Sequence, residues 1–214
     1  MKYTLNNILK FLYKKDKLYN CYIIDLQNLF PKHNFIQYLE NKYPYKINLC
    51  FDEIYAYNIK IMLTSKNFIT LKSLLLNHFM IDLEKYKSNY VINKMNNNIE
   101  IKSLYLYKGQ GIAVSITNEF RGIVVNLITN NNLFIQDLDN SLLQPPPPWI
   151  VYPNEDPRGL GSLQGEIDYW FDSIWNPFWN SLSLEEKKNY FRMTKPNRYW
   201  ANYLMESPIY KEKI

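Results

Sequence analysis

The chain has 214 residues, 47% hydrophobic and 16% aromatic with 19 Tyr, which is length for one large domain or two small ones and an ordinary globular share of core material. Two cysteines exclude a disulfide framework, and no uncharged apolar run is long enough to cross a membrane. The formal charge of +5 is uneven: residues 1–140 carry 17 Lys/Arg against 11 Asp/Glu, and residues 141–214 carry 8 against 9.

Residues 4–15 read as a helix, with Leu5, Ile8, Leu9 and Leu12 at helical spacing behind Thr4 as N-cap. Lys10, Lys14, Lys15 and Lys17 lie where a signal peptide needs its apolar and cleavage regions, so a cytoplasmic protein is expected. The aromatic and β-branched run "YNCYIIDL" (19–26) reads as a strand. Cys21 within it and Cys50 in "INLCF" read as reduced core thiols. Residues 33–43 return to helix, with Phe35, Ile36, Leu39 and Tyr43 on one side. Residues 51–63 fit either state and lean to helix. Residues 65–86 read as one helix or two, their apolar side made by Ile69, Leu71, Leu74, Leu75 and Phe79.

The register then changes to alternation in twos over 99–109, 111–120 and 121–132, with turn residues in "YKGQG" and "TNEFRG". Residues 132–139 add a fourth candidate strand. The fold expected is α+β: an antiparallel meander of three or four strands covered by the N-terminal helices, followed by a proline-rich strap and C-terminal aromatic helices. One domain over 1–214 is expected, with a possible division into 1–140 and 141–214. Ile167, Trp170, Phe171, Ile174 and Trp175 mark an amphipathic helix within 163–179, which Pro177 should end or kink near Asn176. Ser183 and Glu186 form an S-x-x-E capping box for the next helix, and 197–205 offers a last short one.

The stretch "PPPPWIVYPNEDPRGLG" (145–161) could be a linker, a polyproline ligand or a wall of the fold. Trp149, Ile150, Val151 and Tyr152 follow the prolines directly, and burying such groups stabilises by roughly 1.5–3 kcal/mol each. The reading favoured is an extended strap over 145–157 packed on the domain, anchored by Trp149 and Tyr152. Pro148, Trp149, Pro153, Pro157, Gly161, Gly165, Glu166, Tyr169, Trp170, Ser183, Glu185, Glu186 and Tyr190 together resemble a C-terminal block of small uncharacterised bacterial proteins. Some of those are associated with polymorphic-toxin immunity. The resemblance covers residues 145–190, departs from a more Gly- and Trp-rich turn at "RGLGSLQGE", and implies an immunity role with a cognate toxin as partner.

His33 and His78 are the only histidines, in different segments, and no metal-ligand spacing, nucleophile elbow or phosphate loop occurs. No cofactor or metal is expected. Residues 145–172 carry one Arg against five acids, Glu155, Asp156, Glu166, Asp168 and Asp172. Paired carboxylates can do acid–base work, hold a divalent ion, bind a basic partner, or simply face water. Tyr152, Glu155, Asp156, Asp168 and Asp172 are the candidate partner-binding residues. A non-enzymatic inhibitor of a toxin is the leading expectation. A carboxylate-based metal-dependent hydrolase and a nucleic-acid-associated protein using the basic N-terminal half remain open. For the latter, scattered Lys with Arg only at 121, 158, 192 and 198 fits a solvated surface better than base readout.

Overall fold

A computed structural model describes residues 20–38, 43–83, 90–93, 99–141, 143–162 and 165–206. The helix expected over 4–15 lies outside them. The chain is α+β, built on one antiparallel six-stranded sheet in the order β1-β2-β6-β5-β4-β3. The strands are β1 (Lys46–Asn48), β2 (Tyr57–Leu63), β3 (Tyr90–Asn93), β4 (Ile99–Tyr107), β5 (Gln110–Glu119) and β6 (Gly122–Thr129). The expected meander is β4-β5-β6, extended by β3 at one edge and by β2 and β1 at the other. Its hairpins turn through left-handed pairs, Lys108–Gly109 and Phe120–Arg121, whose twist suits adjacent strands.

Period-two alternation assigns the two faces of the sheet. Ile59, Ile61 and Leu63 of β2 lie with Ile112, Val114, Val125 and Leu127 in a first core cluster. Helix α2 (Ser65–Phe79) covers that face through Leu71, Leu75 and Phe79, and helix α3 (Asn132–Asn140) through Phe134, Ile135 and Leu138. The other face is shared. Ala113 and Ile128 meet helix α1 (20–29), while Met62 and Val124 meet the C-terminal aromatic cluster. Ser115, Asn126 and Lys60, paired across β5, β6 and β2, form a polar row between those two contacts.

Several sequence expectations are corrected. Residues 20–29 are helix, because Tyr22, Leu26 and Phe30 recur every fourth residue and bury together against Ile54 and Ala56. Cys21 in that helix is exposed and Cys50 is half-buried, so neither is a core thiol. Among the described residues of the 33–43 segment, a helical turn is confined to Lys32–Asn34; residues 35–38 are not helical, and the Tyr38 N–H donates to the Tyr57 hydroxyl at 2.8 Å. The 51–63 segment gives one 3-10 turn, Cys50–Asp52, and then strand β2, because β6 supplies a full antiparallel partner from Tyr57 to Leu63. Helix α2 stops at Met80, whose left-handed backbone donates to the Leu75 and Leu76 carbonyls, and Ile69 is 62% exposed rather than core. Residues 132–139 are not a fourth strand: Asn131 caps α3 by accepting the Phe134 N–H at 3.0 Å.

The proline block is a wall of the fold. Leu143 belongs to the first cluster and Val151 to the C-terminal one, so 143–151 carries the chain from one face of the sheet to the other. Pro145, Pro146 and Pro148 are buried. The extended part is shorter than expected, because Pro147 caps and Pro148 opens a single turn, α4 (Pro148–Val151), where proline's fixed φ and missing N–H suit a helix start. Trp149 and Tyr152 anchor it while only half-buried.

Helix α5 (Glu166–Trp170) continues through a π-helical segment (Phe171–Trp175) into α6 (Asn176–Ser181). Pro177 therefore does not end the helix. The π segment precedes it, with the Asn176 N–H donating to the Phe171 carbonyl, and proline's missing N–H falls at the start of the next α turn. Helix α7 (Leu184–Thr194) starts with the expected reciprocal box, and α8 (Arg198–Glu206) is the expected last helix.

Candidate functional site

The frame of the candidate site is aromatic. Trp170, Phe171, Ile174, Trp175, Phe178 and Trp179 are all buried, a repeat of four. An α-helix of 3.6 residues per turn would rotate such a stripe by about 40° per repeat, and the wider π turn takes up that drift. Trp170 and Trp175 stack at 5.9 Å, and Trp175 and Trp179 at 5.4 Å, with planes within 16° of parallel. Tyr190 meets Trp175 edge-on at 5.8 Å, and Trp170 donates its indole N–H to the Met62 sulfur at 3.1 Å. Trp149 reaches Tyr190 and Trp200, both at 6.4 Å, and Tyr152 packs edge-on to Trp170 at 5.5 Å. These contacts fix the polypeptide that bears the acidic residues.

Glu155, Glu166, Asp168 and Asp172 are exposed, and none of them forms an ion pair among the described residues. Tyr152 joins two of them. Its hydroxyl approaches the Glu166 carbonyl at 3.5 Å, and the Glu155 N–H donates to the Tyr152 carbonyl at 3.2 Å. Burial, then the charges of Glu166 and Glu155, push the Tyr152 phenol up to about 12. So the structure brings Tyr152, Glu155 and Glu166 together, with Asp168 and Asp172 on the exposed side of the following helix. Asp172 accepts a long hydrogen bond from the Asn176 amide at 3.4 Å.

Asp156 differs from the other candidates. It accepts the Arg158 backbone N–H at 3.0 Å and is clasped by the Arg158 guanidinium, which lies 4.6 Å from the Tyr199 ring of α8. Hydrogen bonds from Arg158 hold its carboxyl at about 2. Its charge is internally matched, and it staples the turn Pro157–Ser162 to α8 rather than offering a free anion. Arg158 was not among the sequence candidates; the D-P-R spacing, with a cation two residues after the acid, is the signal that marks it. Lys60 is the other omission. Its ammonium donates to the Tyr169 hydroxyl and lies 4.5 Å from that ring, which places one cation beside the acidic helix.

Among the described residues no three His, Cys, Asp or Glu side chains converge as a metal-binding group. His78 shares a contact with Asp137 at 2.8 Å, and His33 sits apart on the Lys32–Asn34 turn. No helix among the described residues is long and apolar enough to cross a membrane. The chain is thus an α+β scaffold whose exposed carboxylates lie beside an aromatic helical cluster. Comparison with family models, curated proteins and solved structures finds no match for the chain.

Proposed function

We propose that this chain is a non-enzymatic, cytoplasmic binding protein, and most concretely an immunity protein that neutralises a cognate protein toxin. The observation that carries this reading is the set of exposed carboxylates. Glu155 beside Tyr152, and Glu166, Asp168 and Asp172 on the helical segment held by the tryptophan stack, have no cationic partners among the described residues. A preorganised anionic surface lowers the ordering cost of association and attracts a basic partner. The resemblance of residues 145–190 to immunity-associated proteins points the same way.

Co-expression tests the proposal. A secreted toxin encoded beside this gene should kill cells that lack the chain and spare cells that make it, and the two should form a stable complex with no chemical change to the toxin. Metal-stimulated hydrolysis by the purified chain, abolished by Asp168→Asn with folding intact, would instead make it an enzyme.

A further inference from the structure

A second site lies away from the acidic face. A cavity of about 330 Å³ opens where the C-terminal end of α3 meets the C-terminal end of α6, within the range of small-ligand pockets. Tyr43, Tyr45, Phe178, Asp139, Asn180 and Glu186 line it.

Asp139 is bonded to the Lys46 ammonium, with both side chains almost fully enclosed, and it accepts the Tyr38 hydroxyl at 3.0 Å. That pair is neutral overall. Glu186 is exposed and has no cationic partner among the described residues. One of its oxygens accepts the Ser183 N–H at 2.7 Å, and hydrogen bonds from Ser183 hold its carboxyl below the usual range, so it remains anionic. Two helix C-termini add partial negative charge, roughly half an elementary charge each. The Ser141 hydroxyl occupies the Leu138 carbonyl, and at the end of α6 the Ser181 hydroxyl and the Leu182 N–H occupy the Phe178 and Trp179 carbonyls. The positive N-terminus of α7 also begins here and offsets about half a charge, while Glu185 in its first turn is matched by Arg192 at 3.2 Å. Among the described residues the balance is negative. The walls are aromatic, with Tyr43 and Phe178 in edge contact at 5.3 Å, and aromatic rings attract cations while accepting an apolar stem.

We propose that this cavity binds an organic cation, a guanidinium or ammonium carried on a short apolar stem. The proposal does not depend on the toxin-binding reading, because it concerns other residues. Neither helix terminus alone would define a site; the cavity, the Glu186 carboxylate, which has no cationic partner among the described residues, and the aromatic walls converge with them.

The test is an amide NMR titration of the full chain with ethylguanidinium, with neutral N-ethylurea as a control of similar shape. Saturable shifts confined to residues such as Leu143, Gln144, Asn180 and Leu182 are expected, with the urea at least about tenfold weaker, as loss of a charged partner implies. Glu186→Gln keeps an S-x-x-Q capping box and removes the charge, so it should weaken ethylguanidinium at least about threefold while the rest of the spectrum stays in place. Should that variant disturb α7, Tyr45→Leu gives an independent check through loss of one ring. N-acetyl-arginine amide in place of ethylguanidinium tells a protein side chain from a small molecule as the occupant: tighter binding of the blocked arginine assigns the former, weaker binding the latter. Equal binding of the urea, or affinity unchanged in both variants, would overturn the proposal.

Discussion

A Cβ at Gly111 would lie 2.6 Å from Leu29 Cγ and 3.0 Å from Phe30 Cε1. Helix α1 therefore docks on β5 through a missing side chain, and no local pattern in the sequence announces that approach. Gly111→Ala should destabilise by about 1–3 kcal/mol in urea unfolding, as overpacking does. Gly159→Ala, with open space at its Cβ, should change stability by less than about 0.5 kcal/mol. The tyrosines give a second residue-scale test. Burial raises the phenols of Tyr190 and Tyr43, and Tyr152 reaches about 12 against an ordinary 10.0. A phenol whose folded pKa is raised contributes stability that is fully present below the unfolded value and lost as pH rises through the folded one. Stability should thus hold below pH 10 and fall as pH climbs toward 12 and beyond. Tyr190→Phe removes one such titration, so its urea midpoint should fall less steeply with pH than that of the parent. An equally steep fall would mean that the Tyr190 phenol ionises as readily in the folded protein as in the unfolded one.

Elements with two independent signals were legible. The capping box at Ser183 and Glu186, the alternation of β5 and β6, and the apolar face of α2 each combine a boundary with a period. Short apolar runs were not, because periodicity alone does not separate a strand from a buried helix turn. Residues 20–29, 57–63 and 132–140 took the state that their packing partners required. Two overlooked signals were present all the same: the four-residue spacing of Tyr22, Leu26 and Phe30, and Asn131 as a cap three residues before Phe134. The repeat of four from Trp170 to Trp179 is a third, and it asks for a helix wider than α. Deleting Ser173 would remove the residue that the π turn accommodates and rotate the following stripe by about 100°. Collapse of the near-UV signal of the tryptophans is expected, since Trp175 and Trp179 would leave the cluster. Trp175→Ala, in a fully buried site, should cost about 3–5 kcal/mol, and Trp149→Ala, only half-buried, clearly less. Equal costs would show that the strap depends on Trp149 more than its burial implies.

Across the whole molecule, the sheet separates two helical layers and the proline strap joins them, so the acidic face belongs to the more aromatic layer. The excess of carboxylates was legible from composition alone. Which of them lack a cationic partner among the described residues was not, because the Arg158 clasp on Asp156 appears only in the folded turn. That distinction decides how the face should be tested. Reversing Asp156 would release Arg158 and loosen the turn from α8, which confounds stability with charge. Glu166 and Asp168 sit in the first turn of α5, where a positive replacement opposes the helix dipole. Glu155 and Asp172 are exposed and avoid both complications. Glu155→Lys with Asp172→Lys changes the local charge by four while leaving the aromatic contacts alone. If the face steers a basic toxin, the double variant should associate about tenfold or more slowly at low salt, and its rate should depend less on ionic strength. Thermal stability should stay within a few degrees of the parent. Stopped-flow association with the toxin, read against salt, measures both effects at once. Parent-like rates and full protection of cells by the double variant would reduce these carboxylates to solvated surface, and the search for the interface would move to the basic residues before position 140.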